Sequence, residues 1–308
     1  MENIPLVDWL LLCINRTEHC YSEAGAAKYI QITDSYIKNY FKDSLLEDVT
    51  ENMLQDFFDS LGEVGKNLSR QTIHLIYSVL NNGLKTAEGC GLIRYNPCML
   101  AYIRRRLYGN NTVLSDEAIR SILQKKIRNE YENLFPILLI STARYGEAAA
   151  LSWSDIDPIR KCICIRKHLI TYYNKGHVNY KIADLTKNHG TRIVYLPSFT
   201  FGYFDDERKL QQEKIKQAQN RWSNPHNLVF TAEDGSPLHH YKVMRRFKKI
   251  VTPLGQPHAN IHTLRHTGST VCFLATRKIS SVQAMTGNSG MGSAAYYVHY
   301  LEQKEKHA

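Results

Sequence analysis

The stretch His262-Thr-Leu-Arg265-His266 places an arginine three residues after a histidine, near the end of a chain of 308 residues. Residues three apart lie on one face of an α-helix, so the imidazole of His262 and the guanidinium of Arg265 are predicted to point the same way. Towards the N-terminus, a second arginine, Arg144, lies in a largely apolar stretch. Two guanidinium groups and an imidazole are therefore candidates for one anion-binding site.

The surroundings of Arg144 indicate that its charge has a partner. Apolar residues dominate both the preceding segment, 135–140, and the following segment, 148–151. An unpaired guanidinium would be costly in such surroundings. The candidate partners are the carboxylate of Glu147, three residues later, and a bound phosphate.

Three tyrosines near the C-terminus, Tyr296, Tyr297 and Tyr300, supply a candidate nucleophile. A phenol can attack a phosphodiester and form a covalent intermediate. Arginines can hold the non-bridging oxygens and the negative charge that grows in the transition state. The residue types alone point to phosphodiester chemistry but do not choose among the three tyrosines.

Two sequence boxes resemble those of a known family. The box 138–147, which runs on to Asp157, resembles the first arginine box of the tyrosine recombinases, the phage-integrase family, and His262-x-x-Arg265 resembles the second. A lysine lies between the two boxes, as it does in that family. The resemblance covers nearly the whole chain. The motifs follow one another in the order found in the integrases of phages and conjugative transposons.

The same family places its nucleophilic tyrosine nine residues after a Gly-His or Gly-Trp step, usually with a histidine two residues beyond it. Here Gly287-Asn288 plus nine gives Tyr297, and His299 follows at the matching distance. Asn288 departs from the family pattern, because its amide keeps an N–H donor but cannot act as a cation or an acid. The resemblance therefore selects Tyr297 as nucleophile and Asn288 as a hydrogen-bond donor.

The resemblance also implies a role for each matched side chain. Arg144 and Arg265 would hold the scissile phosphate, and His262 would bond a non-bridging oxygen and assist proton transfer. His266 is predicted to be structural. The implied catalytic residues are Arg144, Lys187, His262, Arg265, Asn288 and Tyr297, with Glu147 supporting them, and neither a metal nor a cofactor is expected.

Lys187 is the candidate general acid. Over residues 161–197 the spacing of apolar residues changes from that of a helix to that of a strand. This change predicts short strands at 162–165, 169–172, 180–183 and 192–195, with a turn at 187–190. In the family, a lysine on the equivalent hairpin donates a proton to the leaving 5′-oxygen, and Thr186-Lys187 before Arg192 is similar to that pattern. A flexible ammonium beside phosphate is suited to this task. Lys175 and Lys181 remain the alternatives.

Residues 1–106 are predicted to form a helical domain that resembles the family's core-binding domain. Helices are expected at 7–14, 21–41 and 51–61. Thr50 is the expected N-cap of the third helix, and Gly62 lies at its end. Ser69 is the expected N-cap of the clearest helix, in which apolar residues recur at helical spacing, at Ile73, Ile76, Tyr77, Leu80, Leu84 and Ala87. The alternative is a helical bundle with a structural or partner-binding role.

Residues 107–114 are predicted to be a linker, because the Gly109-Asn-Asn111 stretch is turn-prone. Three arginines stand directly before it, at Arg104, Arg105 and Arg106. They are expected to bind phosphate as two domains close round DNA. A solvated charge run is the alternative.

Residues 115–308 are predicted to be the catalytic domain with a C-terminal tail. Helices are expected at 115–127, 131–143, near 205–219 and at 239–251. The last of these interleaves apolar residues with cations that are expected to contact the DNA backbone, at Lys242, Arg245, Arg246 and Lys248. The predicted fold class is mainly α with a small antiparallel β-sheet in the C-terminal domain: a helical core-binding domain plus an α+β catalytic domain.

The distribution of charge favours a polyanionic partner. The chain has 39 Lys and Arg against 29 Asp and Glu, a net charge of +10. Residues 1–108 hold 11 basic and 13 acidic side chains, a net of −2, so residues 109–308 carry +12. Such an imbalance is typical of nucleic-acid binding, although a basic surface that serves solubility alone gives the same total.

Cysteine usage and hydropathy exclude several classes of protein. The seven cysteines are scattered and odd in number, without a C-x-x-C pair, which indicates reduced thiols and neither a disulfide framework nor a zinc site. No apolar run approaches the roughly 18 residues of a membrane span, and no signal-peptide pattern opens the chain. We expect a cytoplasmic protein, encoded by a bacterium, a phage or another mobile element.

The resemblance implies site-specific DNA recombination, with integration or excision of a mobile element through a 3′-phosphotyrosyl intermediate. The implied partners are double-stranded DNA with a specific recombination site, three further copies of the chain on two duplexes, and an accessory directionality factor. The tail 298–308 is expected to dock onto a neighbouring copy. Two alternatives stay open: relaxation of DNA by a type IB topoisomerase-like enzyme, and DNA-binding regulation without catalysis.

Overall fold

The computed structural model describes residues 3–16, 23–62, 67–101, 113–124, 131–174, 177–185 and 191–287. The chain divides into two compact units, Met1–Gly109 and Asn110–Ala308. This division falls inside 107–114, the predicted linker. Each unit encloses a hydrophobic core of its own, so each is described separately.

The first unit is helical, as the sequence predicts. Its helices are α1 (Leu6–Arg16), α2 (Glu23–Ile32), α3 (Lys38–Phe41), α4 (Glu51–Leu61) and α5 (Arg70–Gly89). A π-helical turn, Thr33–Ile37, joins α2 to α3, so the single helix expected at 21–41 is a continuous series of three segments in its described part. Short 3₁₀ turns lie at Leu46–Asp48 and Pro97–Met99.

Side-chain caps determine where helices of the first unit begin. The Thr50 hydroxyl accepts a hydrogen bond from the Met53 amide (3.3 Å), and the Ser69 hydroxyl accepts one from the Thr72 amide (3.2 Å). Both N-caps were predicted from the sequence and are confirmed. Each satisfies an amide that the first helical turn leaves without a carbonyl partner.

The core of the first unit forms where α1 packs on α5. The Trp9 indole donates to the Gly83 carbonyl (2.9 Å), and a Cβ on Gly83 would lie 2.2 Å from Leu10 Cδ2. Glycine therefore allows the close approach of the two helices. The apolar stripe predicted on α5 is buried at Ile76, Leu80, Leu84 and Ala87.

The second unit contains the remaining helices of the described residues. They are α6 (Asp116–Gln124), α7 (Leu134–Ser141), α8 (Tyr145–Ala149), α9 (Phe201–Ala218), α10 (His240–Val251), α11 (Ile261–Thr276) and α12 (Ile279–Thr286), with 3₁₀ turns at Trp153–Asp155, Ser198–Thr200 and Gln219–Arg221. Within the described ranges, no helix is long and apolar enough to cross a membrane.

Two small antiparallel sheets follow α8. Their strands are β1 (Ile156–Asp157), β2 (Cys162–Ile165), β3 (Lys167–Asn174), β4 (His177–Asp184) and β5 (Arg192–Tyr195). One sheet has the order β1-β2-β5, and the other is the β3-β4 hairpin. The fold class is thus confirmed as mainly helical with small antiparallel sheets in the second unit.

The strand pairing corrects one expectation about the segment that carries Lys187. The sequence predicts a hairpin turn at 187–190, between the strands at 180–183 and 192–195. In the structure, β4 pairs with β3, and β5 pairs with β2, where Val194 lies opposite Ile163. Burial of these two apolar side chains in the core selects the partner of β5. The chain between β4 and β5 therefore connects two sheets.

The core of the second unit brings the ends of α7 and α11 together. Helix α7 is apolar on nearly all sides and buried, and the rings of Phe135 and Phe247 lie 5.4 Å apart, which packs α10 against it. A Cβ on Gly268 would lie 1.9 Å from the Leu139 carbonyl oxygen, so α11 crosses α7 in direct backbone contact. This crossing places the turn after α7 beside the first half of α11.

Candidate active site

Arg144 lies between two helices, beyond the end of α7 and at the N-cap of α8. The sequence predicts a helix over 131–143, but α7 ends at Ser141 because Thr142 adopts a left-handed conformation with φ of 54°. Arg144 then has extended backbone angles and precedes the first residue of α8. The reversal turns the carbonyl of Thr142 towards α11, where it accepts a hydrogen bond of 2.7 Å from Arg265 Nη1.

Glu147 is the buried partner that the surroundings of Arg144 predict. Its Oε2 accepts a hydrogen bond from the Arg144 amide (2.9 Å), and its Oε1 accepts one from Arg144 Nη1 (2.7 Å). The Glu147 side chain is 2 % exposed, whereas that of Arg144 is 44 % exposed. The buried carboxylate thus holds the guanidinium in place, while part of the Arg144 side chain faces solvent.

Arg265 is held inside the fold by backbone carbonyls. Its Nη1 donates to the Thr142 carbonyl (2.7 Å) and its Nη2 to the Thr286 carbonyl (2.9 Å). Nη1 also lies 3.9 Å from Glu147 Oε2, so Arg144 and Arg265 share one counter-ion. The structure therefore brings together the arginines of both sequence boxes, as predicted.

His262 lies in the first turn of α11 and is exposed to solvent. The Asn260 side chain caps this turn, because its Oδ1 accepts from the amides of His262 (2.8 Å) and Thr263 (3.2 Å). Partial burial and the positive charges of Arg265 and Arg144 lower the pKa of His262 below its ordinary value. The imidazole is thus neutral at pH 7, and it can donate one hydrogen bond and accept another.

His266 lies one helical turn after His262, with the two rings in an edge-to-face arrangement 4.6 Å apart. Burial, followed by the charges of His262 and Arg265, lowers the pKa of His266 to about 4. A neutral ring therefore packs behind His262. The structural role of His266 stays a prediction.

Arg192, at the start of β5, also contributes to the site and was not predicted. Its Nη2 donates to Glu147 Oε2 (2.7 Å), its Nε donates to the Met285 carbonyl (2.7 Å), and its side chain is 7 % exposed. The alternation of inward-facing and outward-facing side chains along β5 is a signal that could have identified Arg192. Arg192 and the buried Val194 share one face of the strand, so the sequence places an arginine on the inward face.

The site carries a net positive charge. Three guanidinium groups, those of Arg144, Arg192 and Arg265, meet the single carboxylate of Glu147, which leaves +2. A cavity of about 260 Å³ lies against Arg265 and His262, with Tyr145 and His240 on its wall. Arg265 is the arginine that lines this cavity, and with the neighbouring guanidinium groups around Glu147 it forms a site suited to a phosphodiester.

The basic helix α10 presents two kinds of cation. Lys242 and Arg245 are exposed to solvent. The guanidinium of Arg246 instead forms hydrogen bonds with the buried carboxylate of Glu132, and Lys248 donates to the Pro257 carbonyl. Arg246 and Lys248 are also predicted to contact DNA, and here each makes a contact within the fold, that of Arg246 because the buried Glu132 carboxylate needs a donor.

Several predicted site residues lie outside the described residues. These are Arg104, Arg105, Arg106, Lys187, Asn288 and Tyr297, together with Lys175, one alternative to Lys187, and the tail 298–308. Lys181, the other alternative, lies on β4 with an exposed side chain. The described chain leads to two of these segments: β5 begins shortly after Lys187, and α12 ends two residues before Asn288.

The fold and the cluster of three arginines around Glu147 point to a class of protein, an enzyme that acts on the phosphodiesters of a nucleic acid. A model of the phage integrase family matches residues 113–304. Since this match spans most of the chain, the chain belongs to the phage integrase family and is a tyrosine-type site-specific DNA recombinase. Nothing in the comparisons with known proteins supports the alternative of a type IB topoisomerase.

Relatives and solved structures agree with this assignment. The chain is 27% identical over 299 residues to a XerC-like tyrosine recombinase of Caldanaerobacter subterraneus subsp. tengcongensis, with 89% of this chain and 75% of that protein covered. Its fold is similar to that of the Tn1549 transposon integrase in complex with transposon right end DNA, with a TM-score of 0.77 at 18% identity over 96% of this chain and 94% of that one.

A second structural match concerns an assembly. The fold is similar to that of lambda integrase, solved as a tetramer bound to a Holliday junction, with a TM-score of 0.66 at 14% identity. This match covers 93% of the present chain and 78% of that one. At this identity the similarity establishes the fold.

Proposed function

We propose that this recombinase cleaves and rejoins DNA through Tyr297, to integrate or excise a mobile element. The phenol attacks the scissile phosphate, which leaves a 3′-phosphotyrosyl link and a free 5′-hydroxyl. That hydroxyl then attacks the phosphotyrosyl link of a partner strand and releases the tyrosine. Because the ester conserves the energy of the broken bond, the reaction consumes no nucleotide and uses no cofactor.

The convergence of arginines on Glu147 is the observation that carries this proposal. Arg144 and Arg265 are held by hydrogen bonds of 2.7 to 2.9 Å to groups of the protein itself, so little reorganisation is required when charge develops on the phosphate. His262, neutral and one turn away on the same helix face, would bond a non-bridging oxygen. These three groups would supply the charge stabilisation that metal ions give other nucleases.

Lys187 and Asn288 complete the proposed chemistry. We assign Lys187 as the general acid that protonates the leaving 5′-oxygen, and Asn288 as an N–H donor to the phosphate. The sequence pattern supports both assignments. The described chain agrees with a location near the site, since Arg192 of β5 reaches Glu147, and the end of α12 contacts both Arg192 and Arg265.

DNA contacts are proposed for both units. Residues 1–106 would form the core-binding domain on one side of the duplex, with Arg104, Arg105 and Arg106 on its phosphates, and residues 115–308 would form the catalytic domain. In the catalytic domain the exposed side chains of Lys242 and Arg245 are the preferred backbone contacts. A guanidinium or ammonium that remains in solvent can neutralise a phosphate without breaking an internal ion pair.

The proposed assembly is four copies of the chain on two duplexes. Its support is the similarity of fold to lambda integrase, which has been solved as a tetramer bound to a Holliday junction. The Tn1549 transposon integrase, also similar in fold, supports the choice of a mobile element as substrate. We further propose that the tail 298–308 docks onto a neighbouring copy and that a directionality factor assists.

The proposal is tested by trapping the covalent intermediate. Selection of bound DNA from a random pool first identifies the site. A duplex nicked beside the cleavage position then loses the short 5′-hydroxyl fragment by diffusion, so religation cannot occur. The wild-type protein should accumulate an adduct that survives SDS, in the presence of EDTA, whereas Tyr297→Phe should bind the same DNA and form none.

Matched variants make this test specific. Tyr296→Phe and Tyr300→Phe should still form the adduct, because each removes the same hydroxyl from a neighbouring position. An adduct with Tyr297→Phe would mean that another residue is the nucleophile. Loss of the wild-type adduct in EDTA would refute the metal-free mechanism, and a wild-type protein that binds DNA but never forms an adduct would be the non-catalytic regulator.

A further inference from the structure

Arg192 connects two parts of the site that are far apart in the sequence. One end of its guanidinium bonds Glu147, 45 residues earlier, and Nε bonds the carbonyl of Met285, 93 residues later. The Arg192 side chain is 7 % exposed, whereas that of Arg144 is 44 % exposed. Arg192 thus differs from Arg144, which also bonds Glu147 but keeps part of its side chain in solvent.

The contact with Met285 involves the last turn of α12. Two carbonyls of this turn accept from arginines, Met285 from Arg192 and Thr286 from Arg265. The last carbonyls of a helix have no partner within it and carry the negative end of its dipole, so guanidinium donors are favourable there. Two arginines that share Glu147 thus fix the end of α12.

The residue after this turn packs directly on Arg192. Gly287 ends α12 in a left-handed conformation with φ of 68°, which glycine adopts without strain. A Cβ at this position would lie 3.1 Å from Arg192 Nη1 and 3.2 Å from its Cδ. The Arg192 side chain therefore forms the surface against which the chain turns as it leaves α12.

Glu147 depends on Arg192 for its charge. Burial raises the pKa of Glu147, but the hydrogen bond and charge of Arg192, followed by the hydrogen bonds of Arg144, bring this pKa below its ordinary value. An ionised carboxylate in this position keeps its contacts with Arg144 and Arg265. Arg192 therefore also supports the two phosphate-binding arginines, though only through Glu147.

We propose that Arg192 is a positioning residue of the recombination reaction. By joining Glu147 to the end of α12, it sets the point and direction from which the segment bearing Asn288 and Tyr297 begins. This inference rests on the proposed role of Tyr297. A misplacement of about 1 Å at a reacting group can lower a rate on the order of 100-fold, so a residue that never touches DNA can control cleavage.

The kinetic test compares binding with cleavage in Arg192→Met, which keeps the length of the side chain and removes its donors and charge. On the nicked substrate, the single-turnover rate of adduct formation should fall on the order of 100-fold, while the affinity for DNA stays within about threefold of wild type. Arg192→Lys should recover an intermediate rate. The lysine ammonium can bond Glu147 or the Met285 carbonyl, but it does not carry donors on separate nitrogens as a guanidinium does.

Arg166→Met is the matched control. Arg166 also bonds a buried carboxylate, Asp155, at 2.6 Å, but it has no contact with α12 among its hydrogen bonds in the described part of the chain. If Arg166→Met lowers cleavage as much as Arg192→Met does, the effect is a general loss of stability and the proposal fails. Wild-type cleavage by Arg192→Met would also overturn it.

Amide hydrogen exchange tests the positioning step without reference to the chemistry. The Gly287 amide bonds the Gln283 carbonyl (2.8 Å), so its protection reports on the end of α12. Arg192→Met should increase exchange at residues 283–287 more than in α7 or α11. Unchanged exchange there, with slow cleavage, would assign Arg192 to the phosphate contacts through Glu147 and refute positioning of α12. An adduct with Tyr297→Phe would refute the nucleophile alone, whatever the exchange result.

Discussion

At the scale of single residues, the site depends on a carboxylate that is buried and charged at once. Desolvation alone would favour the neutral form of Glu147. Donors from Arg192 and Arg144 reverse this preference and hold its pKa below 4.5, the ordinary value for this group. The arginines therefore meet a full negative charge at the pH of a cell, and none of them needs a metal ion as a neighbour to be oriented.

The neutral ring of His266 gives a prediction about pH and stability. Its pKa is lowered to about 4 in the folded chain, against 6.5 when unfolded. Between these values the unfolded chain binds more protons than the folded chain, so the free energy of unfolding falls as pH drops from 6.5 towards 4. His266→Asn removes this contribution. The loss of stability between pH 7 and pH 5, measured by urea unfolding, should be smaller in the variant.

Between pH 7 and pH 5, the change in stability reports on histidines and not on Glu147. Glu147 loses its stabilising charge only below 4.5, because its folded pKa lies under that value. His262, whose pKa is also lowered, retains part of the effect in the variant. Equal losses of stability in wild type and His266→Asn would mean that the ring of His266 takes up its proton as readily in the folded chain as in the unfolded one.

Residue spacing was enough to predict part of the site. His262 and Arg265 are three apart on one helix, and Glu147 is the third residue of the helix that Arg144 precedes, so both spacings make neighbours visible in the sequence. Arg192 was missed because both of its partners are distant and no local pattern joins them. Its one signal, an arginine on the inward face of β5, becomes clear only when the alternation of that strand is considered together with the cost of burying a charge.

At the scale of elements, the crossing of α7 and α11 depends on a glycine. Gly268→Ala would place a methyl group 1.9 Å from the Leu139 carbonyl oxygen, so the two helices must separate. We expect a loss of about 3 kcal/mol in the free energy of unfolding, at the upper end of the usual range for overpacked cores. Thermal or urea unfolding measures this directly.

Gly202→Ala, in the first turn of α9, is the matched control. A Cβ there meets nothing within 4 Å, and alanine has the higher helix propensity, so stability should rise by about 0.5 kcal/mol or remain unchanged. Equal effects of the two replacements would show that the contact between α7 and α11 is looser than the structure describes.

Helix ends were predictable where a cap or a breaker marks them, as at Thr50 and Ser69. The pairing of strands was not. Strands β2 and β5 have only four residues each, and the alternation of their side chains identifies an inward face without identifying the neighbouring strand. The pairing of β2 with β5 depends on the burial of Ile163 and Val194 in one core. Side chains of the helices form the rest of that core, so the pairing depends on them as well.

At the scale of the whole molecule, charge divides along the chain. Residues 1–108 carry −2 and residues 109–308 carry +12, so the electrostatic part of DNA binding should come mainly from the second unit. The logarithm of the association constant should fall linearly with the logarithm of salt concentration. Fluorescence anisotropy over a series of potassium chloride concentrations gives the slope.

The exposed cations of α10 sharpen this prediction. Replacing Lys242 and Arg245 together by glutamine should reduce the salt slope by about two, one for each phosphate that the protein no longer neutralises. Lys209→Gln serves as control, because its ammonium lies 3.5 Å from the Asp206 carboxylate in an exposed ion pair on α9. An association constant that does not change with salt, or a slope that changes as much in the control, would count against binding through these two cations.

The overall organisation followed from periodicity and charge: a helical first unit, a basic second unit and a change to strands near residue 160. Each of these properties depends on many residues together, so a single irregularity such as the π-helical turn at Thr33–Ile37 does not alter it. The position of one side chain relative to another across the core does not follow from such averages, and only the structure shows it.

The contacts of Glu147 have a consequence for the order in which the protein becomes active during its synthesis. Its partners come from residues 144, 192 and 265, and the carbonyls that hold two of those arginines include residues 285 and 286. A ribosome releases these segments one after another. A nascent chain that has emerged only as far as β5 already contains Arg144, Glu147 and Arg192 but lacks α11 and α12. On the mechanism proposed for this site, cleavage of a DNA strand therefore requires that α11 and α12 have been synthesised as well.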